Sequence, residues 1–76
     1  MSKLQELRNK KGLSQSKLSE ITGISIKTIQ MYEQGHREIA NARIDILLKF
    51  CIALDCKLEQ LICPKFEELY SEYNKK

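Results

Sequence analysis

One proline, three glycines and a single histidine stand among 76 residues, and each scarcity excludes something. With so few helix breakers the chain holds no proline-rich or glycine-rich low-complexity segment, and no internal repeat is visible. His36 is the only imidazole, so no Ser/His/Asp or Cys/His pairing occurs at catalytic spacing, and no phosphate-cradling glycine loop is present. Glu67-Glu68 reads as a solvated helix face rather than a working carboxylate pair. The expectation is a chain without catalysis and without a cofactor.

Cysteine is also sparse. Cys51, Cys56 and Cys63 are odd in number and spaced C-x4-C-x6-C, which fits neither a disulfide framework nor a zinc signature. Cys51 and Cys56 are therefore expected to pack as small hydrophobes, with no metal bound. No apolar run approaches membrane-spanning length, and Met1-Ser2-Lys3 leads directly into charged amphipathic sequence, so a cytoplasmic protein with no membrane partner is expected. A domain of this size buries only about 60% of its unfolded surface, enough for one core and too little for a large substrate cavity.

What the chain does have is apolar residues in helical periods. The first helix is expected from Ser2 to about Lys11, with Leu4 and Leu7 inward and Gly12 closing it. Leu13 enters the core, Ser14 caps a second helix over 15–22, and Gly23 then Ser25 mark a stop and a new start. A third helix spans about 26–34 and ends at Gly35. The connector 36–42 is expected to be non-helical, anchored by Ile39 and Ala42. A fourth helix, about 43–54, carries Ile44, Leu47, Leu48, Cys51 and Leu54 on one broad stripe, and a fifth follows over 57–62 with Leu58, Leu61 and Ile62 apolar. Beyond Pro64, the residues Phe66, Leu69, Tyr70 and Tyr73 recur at i, i+3, i+4, i+7, which predicts an amphipathic tail that folds back on the core or pairs with another chain. The predicted organisation is an all-α domain over 1–63 followed by a tail over 64–76.

Two short helices hinged at a glycine prop the second across the first. On that second member of the pair Ile29 and Tyr32 share one side, while Lys27, Gln30, Met31 and Gln34 lie near the opposite side. The free face offers amide, ammonium and thioether ends without a carboxylate. It suits a groove lined with base edges and flanked by phosphates, although a plain solvated face has the same pattern. Charge agrees in direction: residues 1–37 carry seven Lys/Arg against three Glu, whereas the remainder carries six against seven acids, within a net charge of +3.

In order and spacing, Leu7-Arg8, Gly12-Leu13-Ser14-Gln15, Lys17-Leu18-Ser19, Gly23-Ile24-Ser25, Thr28-Ile29, Tyr32-Glu33-Gln34-Gly35, Arg37, Leu47-Leu48-Lys49-Phe50 and Ala53-Leu54 resemble the lambda-repressor-like family of helix-turn-helix proteins, the Cro/repressor or Xre type. The resemblance covers roughly residues 4–62. It implies a five-helix domain whose second and third helices read double-stranded DNA. By resemblance, Gln15 touches a phosphate and braces the reading helix, and Lys17, Arg8 and Arg37 are further phosphate contacts. Ser25, Ile26, Lys27, Thr28, Gln30 and Met31 fall on the base-reading positions; Lys27 suits either a guanine edge or a phosphate. Arg8 and Glu33 match a structural pair linking the first and third helices. Ile26 and Met31 depart from the polar readers often found there, and Ile39 stands where a proline is commonest.

The expected function is thus a sequence-specific transcriptional regulator, a repressor, acting as a homodimer on a pseudo-palindromic site. The competing expectation is a protein-interaction module, an antitoxin or anti-activator, that grips a protein partner through the aromatic tail. Retention or loss of duplex affinity when the tail is removed separates the two.

Overall fold

A computed structural model describes residues 2–62 and 70–73. Among these lie α1 (Lys3–Lys10), α2 (Gln15–Thr22), α3 (Ile26–Glu33), a single 3-10 turn (Ile39–Asn41), α4 (Ile44–Leu54) and α5 (Leu58–Ile62). The fold is all-α, as the periodicity predicts. Residues 70–73 are also helical, while Phe66 and Leu69 of the expected tail helix, together with Cys63 and Pro64, lie outside the described residues.

Local chemistry explains the starts of α1, α2 and α3 and the ends of α2 and α4. Ser2, Ser14 and Ser25 are extended N-cap residues whose hydroxyl oxygens accept the backbone N–H groups of Gln5, Lys17 and Thr28 at 3.0, 3.0 and 3.1 Å. Each satisfies one amide that the first helical turn leaves without a partner. α2 ends at Gly23, in the left-handed region at φ +75°, and the glycine N–H returns to the Ser19 carbonyl at 2.8 Å. A side chain at that φ would be strained, so glycine sets the hinge angle. Thr22 reinforces it: its buried hydroxyl donates to the Leu18 carbonyl at 2.8 Å and accepts the Ile24 N–H at 3.1 Å.

α4 ends without glycine. Asp55 takes φ +51° and the Cys56 N–H reaches the Cys51 carbonyl at 3.1 Å, a Schellman closure that places Cys51 and Cys56 at its usual apolar contact positions. Both thiols are half-buried against the core, and desolvation pushes both up in pKa, Cys56 to about 11.

The core is Leu4, Leu18, Ile24, Ile29, Leu47, Phe50, Leu54 and Leu61, with Leu7, Leu13, Tyr32, Ile39, Ala42, Cys51, Cys56, Leu58 and Ile62 packed around it. Tyr32 meets Phe50 edge to face at 6.2 Å between centroids. Two expectations need correction. The 36–42 connector contains a helical turn, since Asn41 and Ala42 bond back to Glu38 and Ile39 at 3.0 Å, and one 3-10 turn requires no apolar period to announce it.

The second correction concerns α4. Its inward stripe is Leu47, Phe50 and Leu54, whereas Ile44 and Leu48 of the expected stripe are exposed. The true face is rotated from the expected one by about 60° on a helical wheel of ~100° per residue. α4 is apolar nearly all round, so periodicity could not fix its facing; Phe50, the largest fully buried side chain, occupies the core instead.

Candidate nucleic-acid interface

The α2–α3 pair is held to α1 by one buried polar network. Arg8, on α1, donates through Nε to Glu33 Oε2 at 2.8 Å and through a terminal nitrogen to Glu33 Oε1 at 3.1 Å; its other terminal nitrogen donates to the Leu13 carbonyl at 2.8 Å. The two side chains are only 10% and 3% exposed. A bidentate pair of this kind fixes geometry in a way that a surface ion pair does not. The hydrogen bond to Glu33 raises the Arg8 pKa above its already high ordinary value, against the opposing effect of desolvation.

Gln15 extends the network outward. Its Nε2 donates to Glu33 Oε1 at 3.0 Å, and its Oε1 accepts from Gln30 Nε2 at 3.3 Å. The first residue of α2 and a middle residue of α3 are thereby coupled through their side-chain amides to the Arg8–Glu33 pair. Among the described residues no buried side-chain nitrogen or oxygen lacks a partner, so the network is complete. The linking of Gln15 to Gln30 was invisible in the sequence, because fifteen positions separate them and either amide reads alone as a surface group.

The expected site residues divide into three sets by geometry. Arg8, Glu33, Gln15 and Gln30 come together as the brace. Arg8 is buried with its guanidinium spent on Glu33 and the Leu13 carbonyl, and it orients the carboxylate to which Gln15 donates. Ser25 and Thr28 form the start of α3: the Ser25 hydroxyl accepts the Thr28 N–H and donates to Thr28 Oγ1 at 2.8 Å. Both are tied to capping, with the exposed Ser25 oxygen at the outer end of the helix.

The third set is open to solvent. Lys27 is exposed and Met31 half-exposed along α3, as the periodicity predicts, and Ile26, which the period sets nearer the Ile29 side, is exposed as well. Lys17 is exposed near Glu20 at 3.7 Å, a weak surface pair that phosphate can displace. Arg37 is exposed just past Gly35, with its backbone N–H bonded to the Met31 carbonyl at 3.2 Å. Thr22 is a positioning residue that sequence reasoning missed. A threonine immediately before a hinge glycine was the available signal, since its hydroxyl can bond backbone on either side.

Compared with known protein families, residues 4–61 match the helix-turn-helix family. Comparison with curated proteins and with solved structures gives no significant match. No helix among the described residues is long and apolar enough to cross a membrane. With the match covering most of its length, the chain belongs to the Cro/C1-type helix-turn-helix family of DNA-binding regulators.

Proposed function

We propose that the protein is a sequence-specific transcriptional repressor that lays α3 in the major groove and binds as a homodimer on a two-fold-related pair of half-sites. The observation that carries this reading is the braced network Arg8–Glu33–Gln15–Gln30. It spends the polar ends nearest α1 on fixing the angle between α2 and α3, and leaves Ile26, Lys27 and Met31 uncommitted on the outer face. Lys27 bonds a guanine edge or a phosphate, while Ile26 and Met31 favour apolar contact with thymine methyls. Gln15, Lys17 and Arg37 supply phosphate contacts that fix register without reading sequence.

A rigid pair matters here because one module reads few base pairs. Two modules spaced by about 34–36 Å multiply discrimination only if each recognition helix is held at a fixed angle. Repression then follows from occupancy of the site, with no chemistry asked of the protein.

Selection of bound duplexes from a random pool tests the reading. An enriched inverted repeat with half-sites one helical turn apart is the expected outcome. Retention of the pool without enrichment, or a single unrepeated site, would overturn the sequence-specific dimer.

A further inference from the structure

The outer face of α4 is apolar and uncovered. Ile44, Leu48 and Ile52 are 61%, 48% and 81% exposed, while Leu47, Phe50 and Leu54 on the same helix fill the core. Single exposed hydrophobes are ordinary on a protein surface. These three are different because they stand at i, i+4 and i+8, directly above one another, and so form a continuous ridge about 12 Å long at ~1.5 Å per residue. None of them carries a residue expected to touch DNA.

The ridge is symmetric about its own centre, with an isoleucine one turn to either side of Leu48. We infer that this face binds a second copy of the chain, α4 against α4 and antiparallel, with the two-fold axis passing beside Leu48. Leu48 then meets its counterpart, and each Ile44 meets the other copy's Ile52. The inference rests on the homodimer proposed above and names the surface that forms it.

Charge selects this occupant and this orientation. Asp45 and Lys49 lie one turn apart along the same edge of the ridge, both exposed. An antiparallel two-fold keeps that edge on one side of the interface and brings Asp45 of each copy within two residue rises, about 3 Å along the axis, of Lys49 on the other. Opposite charges therefore meet twice. Lys49 has no ion-pair partner in its own chain among the described residues, and Asp45 is held by Arg43 at 3.2 Å in an exposed pair. A parallel pairing would instead set the Asp45–Lys49 edge against the Cys51 side of the other helix, giving neither charge a partner across the interface.

One helix ridge is smaller than the roughly 800 Å² per partner of a standard stable interface, so the free protein should associate weakly, on the order of micromolar. Sedimentation velocity on the full chain from about 1 to 200 μM, a span chosen to bracket that range, is the measurement. The native chain should show a concentration-dependent dimer, and Leu48→Glu should be monomeric throughout, with an unchanged melt and retained half-site binding. Asp45→Lys and Lys49→Asp should each weaken the dimer at least tenfold, a change of about 1.4 kcal/mol, and the combined swap should restore it.

Three results would overturn the proposal. A native dimer indifferent to Leu48→Glu and to both charge reversals would leave the homodimer standing on another surface. Loss of the dimer in Tyr70→Asp/Tyr73→Asp, with retention in Leu48→Glu, would assign the interface to the tail. A native chain monomeric across the whole range would remove the α4 interface and with it the free homodimer, whereas intact half-site binding would leave the DNA-reading assignment in place.

Discussion

Replacing Glu33 by alanine should unfold the protein more readily than any surface change, and the expected size follows from its contacts. The carboxylate accepts three hydrogen bonds, from Arg8 Nε at 2.8 Å, from an Arg8 terminal nitrogen at 3.1 Å and from Gln15 Nε2 at 3.0 Å. Its removal leaves the Arg8 guanidinium buried with only the Leu13 carbonyl as partner. Breaking a buried pair from one side costs about 3–5 kcal/mol, chiefly through the charge left behind. In a domain whose entire stability is of the order of 5–15 kcal/mol this is a large fraction. At about 4–8 °C per kcal/mol for a chain of this size, Tm should fall by at least about 12 °C.

The double variant Arg8→Met/Glu33→Leu separates energy from geometry. With both charges gone and volume roughly kept, much of the lost stability should return, because a buried ion pair contributes little net stabilisation over apolar packing. Duplex affinity should not return, since Gln15 and Gln30 lose the group that orients them. Urea melts give the first quantity and fluorescence anisotropy on a selected duplex gives the second. A Glu33→Ala chain within about 1 kcal/mol of the native one, below the cost expected for an unpaired buried charge, would refute the burial argument. Native affinity in the refolded double variant would refute the bracing role.

Duplex binding should also be steeply salt-dependent: a dimer neutralising about 6–10 phosphates loses roughly 10³–10⁵ in affinity between about 50 and 200 mM salt, and a flat titration contradicts the electrostatic footprint. Gln15→Ala should weaken cognate and random duplex alike, while a loss confined to one base pair would make Gln15 a base reader. Ile29→Ala and Phe50→Ala remove fully buried side chains and should cost about 2–5 and 3–5 kcal/mol in chemical denaturation, with unchanged midpoints refuting the facing of α3 and α4. The thiols give a pH test: Cys56 is raised from 9.0 to about 11, so the unfolded chain ionises first and binds fewer protons. Its stabilising contribution is whole below pH 9 and declines as pH rises toward 11; a decline of the same steepness in Cys56→Ala would show that other groups cause it.

The sequence alone determined α1 to α5 and the α2–α3 pair, though not the 3-10 turn between α3 and α4. Serine caps at 2, 14 and 25 and the glycine at 23 are local signals, each settled by a hydrogen bond or a φ value within a few residues, so the boundaries of α2 were legible to the residue. Ile29 inward with Lys27 outward was legible for the same reason, since a helix with a polar face has one facing only.

Tertiary structure decided what depends on distant partners. The family resemblance already paired Arg8 with Glu33 and gave Gln15 a bracing role, but packing joined Gln30 to that brace and took Arg8 out of solvent against a partner twenty-five positions away. Packing also rotated α4 so that Phe50 entered the core and Ile44, Leu48 and Ile52 faced outward. A helix apolar on all but one edge satisfies the hydrophobic effect in several orientations, and the choice among them belongs to the shape of the cavity left by its neighbours.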